Sequence, residues 1–254
     1  MYEPINSNEI DAAMLSRTFY DLDKHLNNVE AICAIGGTAL MLMGLKRASL
    51  DIDIIPLGNS SDINNALKYV YENIAKGQIF IPITENKKEV KRYVISKNLI
   101  IQTFTRKLPL QKQGEYLILP SDFEQYIHEV KTVRWILPEG GKEIRISTKK
   151  IFSNTRLFTL GINDLICTKI FSPRQKDVED IYALLKHIPL SQRYFVNNKK
   201  KLLERFQEYI KFNESNIKVI VTGINFYNKL VSDPKINLLD LPEDFIKKYA
   251  QYLQ

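Results

Sequence analysis

The chain has 254 residues, 44% hydrophobic and 26% charged, enough for one large domain or two modest ones with a real core. Ten Gly and ten Pro exclude collagen-like and disordered classes, and no apolar run approaches the roughly 18–20 residues of a membrane helix. The start MYEPINSNEIDAA lacks the basic-then-apolar pattern of a signal peptide, and Cys33 and Cys167 make neither a disulfide framework nor a zinc cluster, so a cytoplasmic protein is expected, with no membrane contact; the net charge of +7 favours anionic partners such as nucleotides or RNA.

In chain order, Ile10, Met14, Leu15, Phe19, Leu22 and Leu26 recur at helical spacing between Ser7, a plausible N-cap, and about Asn28. AICAI (31–35) reads as a short buried strand. GGTALMLMGL (36–45) reads as a tight turn opening a buried helix, and DIDIIP (51–56) as a strand stopped by Pro56. Residues 60–77 form an amphipathic helix between Ser61 and Gly77. Strands are predicted at 92–95, 99–104, 115–119, 131–137 and 143–147, with PEGGK as a hairpin turn between the last two; Ser121 and Glu124 mark a short capped helix. From about residue 160 the pattern turns helical. Asn163 is placed to cap 164–171, and Ser172 to Gln175 reads as a capping box with proline at the first helical position, opening a helix that runs to His187. Further helices are predicted from Ser191 to Phe212, from about Ser215 to Val231, and from Pro242 onward. The fold class is therefore α/β (α+β): a mixed sheet flanked by helices over 1–160, then a helical C-terminal region over 161–254.

The segment GGTALMLMGLKRASLDIDI (36–54) carries chemistry. Asp51 and Asp53 are two apart on a predicted strand, so they share a face. Adjacent carboxylates repel unless a cation lies between them, and Mg²⁺ favours such oxygen ligands shared with substrate phosphates. Gly36 and Gly37 let backbone N–H groups approach an anion, and Thr38 adds a hydroxyl. Arg47 and Ser49 lie in the short loop before the acids. A phosphate cradle beside a divalent-metal platform suggests metal-assisted nucleotidyl transfer. The competing phosphate motifs GxxxxGK[ST] and GxGxxG do not occur.

This G-G-x13-D-x-D pattern resembles the nucleotidyltransferase (polymerase-beta-like) superfamily. The wording of 36–54 is similar to the AbiEii-type nucleotidyltransferases, toxin components of type IV toxin–antitoxin systems. A second segment, GINDLICTKIFSPRQKDVEDIYALLKH (161–187), resembles the same family, which carries a lysine on one helix and a basic-Asp-x-x-Asp stretch opening the next; Lys169, Lys176, Asp177 and Asp180 match. Lys169 sits in an otherwise apolar helix, where a lysine needs an anion, and Asp177 and Asp180 share a helix face. Acids in a first helical turn also complement the macrodipole. One departure stands out. The superfamily has a third acid on a later strand, and the strand 99–104 offers Gln102, an amide and a weak metal ligand. Glu143 and Asp180 are possible substitutes.

The resemblance implies transfer of NMP from an NTP to an acceptor. Asp51 and Asp53 would hold Mg²⁺ (or Mn²⁺). Gly36, Gly37 and Thr38 would cradle phosphates, with Ser49, Lys176 and Asp177 also toward the nucleotide. Lys169 would neutralise charge on the triphosphate, and Asp180 would orient the acceptor or a phosphate-binding base. The implied acceptor is RNA, such as a tRNA end, the implied role toxin-like growth arrest or phage defence, and the implied partner a small antitoxin protein. The alternatives are a small-molecule or protein acceptor, or a catalytically degenerate module that binds nucleotide or RNA. Two features lie outside this scheme: the basic run Lys199 to Lys201, and the strand bearing Lys131, Arg134 and Trp135.

Overall fold

A computed structural model of the chain describes residues 9–58, 60–74, 90–96, 99–110, 115–136, 143–187, 192–234, 236 and 238–253. In chain order the elements are β1 (Ile10–Asp11), α1 (Ala12–Asp23), β2 (Glu30–Ala34), α2 (Gly36–Leu42), β3 (Ala48–Ser49), β4 (Ile52–Pro56), α3 (Ser60–Ile74), β5 (Val90–Ser96), β6 (Leu99–Phe104), β7 (Lys107–Pro109), β8 (Tyr116–Ile118), a 3-10 turn (Phe123–Tyr126), β9 (His128–Glu129), β10 (Thr132–Ile136), β11 (Glu143–Ser147), α4 (Thr148–Ile151), β12 (Thr155–Thr159), α5 (Ile162–Phe171), α6 (Gln175–His187), α7 (Gln192–Phe212), α8 (Ile217–Val231), α9 (Glu243–Tyr249) and a closing 3-10 turn (Ala250–Tyr252). They divide between two compact units, Met1–Thr105 with Ile127–Leu160, and Arg106–Tyr126 with Gly161–Gln254.

The first unit is built on a six-stranded mixed sheet of order β5-β6-β4-β2-β12-β9. β2 pairs parallel with β12, and β4 parallel with β6; the remaining neighbours are antiparallel. The central strands alternate or run apolar because both faces are covered. Ile32, Ile52, Ile54, Ile101 and Leu157 from the sheet pack with Leu15, Phe19 and Leu22 of α1 and Ile63, Ala66 and Leu67 of α3 in one core. Asp23 at the end of α1 is buried, and its carboxylate accepts from the backbone N–H groups of Ser153 (2.9 Å) and Asn154 (2.7 Å), fixing the entry to β12.

The second unit pairs β7 with β8 and surrounds α5 with α6, α7 and α8. Its core is an aromatic stack: Phe171 on Phe206 (centroids 5.1 Å apart) and Phe206 on Tyr227 (4.5 Å). Gly223 of α8 lies directly against the Phe171 ring, so a side chain there would displace it. Asn213 ties the hairpin to the helices, accepting from Ile118 N (2.8 Å) and donating to Ile118 O (3.0 Å).

Several sequence expectations move. The first helix starts at Ala12, where the Asp11 side chain accepts from Met14 N (2.7 Å); Ser7 lies outside the described residues, as do Gly77 and the PEGGK turn. The antiparallel register of β10 and β11 is that of the expected hairpin arms. Asn163 does not cap α5, which opens after Gly161 with no side-chain cap. The capping box at 172–175 is displaced by two residues: α6 opens at Gln175, and Asp177 accepts from Arg174 N (2.8 Å). The segment 155–159, for which the sequence predicted no element, is the interior strand β12. Its buried inward positions are Thr155, Leu157 and Thr159, and two threonines conceal the apolar alternation. Residues 106–126 belong with the helical unit rather than with the sheet preceding them. Among the described residues no helix is long and apolar enough to cross a membrane.

Candidate active site

In the first unit a glycine–aspartate cluster grows from the turn between β2 and α2. Gly36 has φ +54°, the left-handed region that glycine adopts without a Cβ penalty. An ideal Cβ on Gly36 would lie 3.0 Å from Asp53 Oδ2. Glycine therefore leaves open the space into which the Asp53 carboxylate points. At Gly37 an added Cβ would collide with Ser49 Oγ. Ser49 is buried on β3, opposite Ile10 of β1, so it bounds the turn from below rather than facing solvent.

Asp53 lies within β4 and Asp51 immediately before it; both are half-buried, whereas Ile52 and Ile54 between and beyond them are buried. That alternation turns both acids away from the core. Thr38 fastens them. Its hydroxyl, fully buried, accepts from Asp53 N (2.8 Å) and lies 3.5 Å from Asp51 O, to which it donates. Asp53 O in turn accepts from Ile35 N (3.0 Å). Thr38 thereby clamps the first turn of α2 to β4 through the backbone.

Gln102 occupies the place where a third acid is expected. It stands opposite Asp53 in the parallel β4–β6 register, and its Nε2 donates to Asp51 Oδ2 (3.2 Å). The amide thus touches Asp51 and stands on the strand beside Asp53. Among the described residues no group of three or more His, Cys, Asp or Glu is arranged to hold a metal. The side chain of Glu143, a possible substitute acid, lies outside the described set.

The second unit holds the other predicted residues. Lys169, 4% exposed, projects from α5 between two acids of α6: its Nζ lies 3.0 Å from Asp177 Oδ1 and 2.6 Å from Asp180 Oδ2. Asp177 is fully buried and also accepts from Arg174 N and from Arg174 Nε (3.0 Å). Burial pushes the Asp177 carboxyl up, but hydrogen bonds from Arg174 and the positive charges of Lys169 and Arg174 outweigh it and leave it below the ordinary carboxylate range. Lys169 thus joins Asp177 and Asp180 in one ionic cluster, which Arg174 extends. The Lys176 side chain lies outside the described set.

Two charged features escaped the sequence reading. Arg174 anchors Asp177, a role signalled only by its position three residues before an acid at a helix start. Arg205 of α7 is buried, with Nε 2.9 Å from Asp164 Oδ1, Nη1 2.9 Å from Asp122 Oδ1, and its guanidinium over the Tyr126 ring at 4.3 Å. Tyr209 Oη donates to the same Asp164 oxygen (2.9 Å). Burial raises the Asp164 carboxyl against these partners. Burial also raises the Cys167 thiol, helped by Asp164, which marks it as an inert core residue.

Residues 12–214 match the family model described as "Nucleotidyltransferase of unknown function (DUF6036)". The chain belongs to this family. Membership makes it a nucleotidyltransferase, with an NTP as the implied substrate. Curated protein sequences give no significant match. Among solved structures the chain is similar to a protein of H. pylori provisionally assigned as a nucleotidyltransferase, at 17% identity and a TM-score of 0.38, covering 94% of this chain and 91% of that one. It is also similar to an antigenic nucleotidyltransferase-like protein of Paracoccidioides brasiliensis, at 12% identity and a TM-score of 0.39, covering 84% and 94% respectively. Both similarities are too distant to assign roles to residues.

Proposed function

We propose that the protein transfers NMP from an NTP to a hydroxyl of RNA in a divalent-metal-dependent reaction, and that it acts as an AbiEii-like toxin or defence protein held in check by a cognate antitoxin. The observation that supports the reaction is the Asp53 carboxylate pointing at the Gly36 turn, where an added Cβ would lie 3.0 Å from it, with Asp51 two positions away on the same face. These residues fit Mg²⁺ or Mn²⁺. Two carboxylates supply hard oxygen ligands, and triphosphate oxygens and water complete a shell that the protein alone does not. Bound there, the ion would stabilise charge on the α- and β-phosphates and lower the cost of ionising the attacking hydroxyl.

The protein's own residues do the positioning. Gly36 and Gly37 keep the turn open for phosphate oxygens, and Thr38 holds the strand bearing the acids at fixed distance from that turn. Gln102 orients Asp51. The acceptor oxygen attacks the α-phosphorus, the bond to the bridging oxygen breaks, pyrophosphate leaves, and the hydroxyl proton passes to solvent. Catalysis of this kind rests on alignment and charge stabilisation more than on covalent chemistry. Lys169, with Asp177 and Asp180, supports the helical unit by fixing α5 to α6. The RNA acceptor and the toxin role rest on the similarity of 36–54 and 161–187 to AbiEii-type sequences and on the basic net charge.

Gln102 favours one second reading, a module that binds nucleotide without transferring it. Incubation with α-labelled NTPs, Mg²⁺ and total RNA separates the readings. Label on RNA, lost in Asp53→Ala, is the expected result. Label on protein or a small molecule moves the acceptor, nucleotide binding without transfer supports the module, and wild-type transfer by Asp53→Ala overturns the mechanism.

A further inference from the structure

The ribbon of β10 and β11 stands apart from the main sheet as a separate two-stranded sheet. Its register places Arg134 directly opposite Arg145, and Thr132 opposite Ser147. Val133, on the other face, is buried in the core of the first unit, so the face bearing Thr132 and Arg145 is turned outward, and both are exposed. Thr148, which opens α4, bonds back to Lys131 O through its N–H (3.0 Å), bringing Lys131 beside Lys149 and Lys150. All three lysines are exposed.

Among the described residues Lys131, Arg145, Lys149 and Lys150 make no ion pair with an acid, whereas exposed Lys200, Lys247 and Lys248 pair with Glu204, Glu243 and Glu214. The basic run on α7 is correspondingly muted, since Lys200 is paired and Lys199 half-buried. Glu129 lies two positions before Lys131 and tempers the ribbon's charge without cancelling it. The ribbon leaves the β9 edge of the sheet, three strand spacings from β4, or about 14 Å.

We propose that the outer face of the β10–β11 ribbon, with Lys131, Lys149 and Lys150 at its base, is a docking surface for the phosphate backbone of single-stranded RNA. Clustered Lys and Arg flanked by the Thr132 and Ser147 hydroxyls match the donors that contact phosphates. This deepens the RNA-acceptor reading and rests on it for its biological meaning, though binding is measurable without catalysis.

The test is fluorescence anisotropy of a labelled single-stranded RNA against full-length wild-type protein and the Lys131→Gln/Arg145→Gln/Lys149→Gln/Lys150→Gln variant, over a range of salt. The variant is expected to bind at least about tenfold more weakly, with the slope of log K against log salt reduced by about 3, roughly 0.7 per lost contact. A variant carrying only Lys149→Gln and Lys150→Gln, on the surface of α4, should show about half that change. Equal affinity and slope for wild type and variants overturns the proposal. So does tighter wild-type binding to polyglutamate or to phosphatidylserine vesicles than to RNA, which would make the surface a protein or membrane contact. Ribbon-dependent RNA binding without label transfer to RNA sinks the acceptor reading and leaves the docking surface standing. Transfer to RNA with ribbon-independent binding does the reverse.

Discussion

Gly36 shows how one missing methyl group serves both backbone and chemistry. Its positive φ costs an L-residue about 1–2 kcal/mol, and the added Cβ would meet the movable end of Asp53 rather than backbone. Gly36→Ala should therefore lower stability modestly in a thermal melt while removing most label transfer, because the group displaced is the carboxylate proposed to hold the metal. Asp51 and Asp53 were legible as a pair from their spacing of two; the spacing did not reveal that Gln102 would reach Asp51 or that the Thr38 hydroxyl would turn inward. Gln102→Glu tests the first of these. It replaces a donated hydrogen bond with a third negative charge, so the variant should melt at lower temperature than wild type without divalent ions and recover more than wild type on adding Mg²⁺. Equal responses of the two proteins would mean that the amide does not stand at a metal position.

Between elements, the link from α5 to α6 is ionic, and the sequence disclosed its members without their arrangement. A lysine in an apolar helix with two acids eight and eleven residues later is equally consistent with a triphosphate contact and with an internal cluster; burial of Lys169 and Asp177 supports the latter, and substitution separates the two. Lys169→Met would remove the cation that Asp180 and Asp177 share, leaving Asp177 to Arg174 alone, and should cost about 3 kcal/mol in urea denaturation. A stability-neutral variant that lost only transfer would restore the triphosphate role. Acid titration gives an independent check. Because the folded-state Asp177 carboxyl is depressed below its ordinary 3.8, its contribution is fully present above that pH and lost as pH falls below it. Wild type should therefore lose stability more steeply than Asp177→Asn below about pH 4. Asp164, raised by burial, works in the opposite sense in both proteins and cancels in the comparison. β12 failed to register in the sequence for a different reason: two of its three inward positions, Thr155 and Thr159, are threonines, which hydropathy alone does not count.

At the scale of the molecule, the order of sheet first and helices second could be read from the switch in periodicity near residue 160, but the excursion at 106–126 could not. That stretch returns to the helical unit through long-range contacts, Asn213 on Ile118 and Arg205 on Asp122 and Tyr126, for which no local pattern exists. A fragment of residues 161–254 alone should thus lack a cooperative melt, because Arg205 and Asn213 lose the partners that satisfy them. The central claim concerns the other unit, and calorimetric titration of a non-hydrolysable NTP in the presence and absence of Mg²⁺ addresses it most directly. Wild type should bind the nucleotide at least about a hundredfold more tightly with Mg²⁺, a gain of about 2.7 kcal/mol that Asp53→Asn abolishes. Nucleotide affinity indifferent to the ion, or an Mg²⁺ gain retained in full by Asp53→Asn, would contradict the assignment of these aspartates to a metal-bound triphosphate.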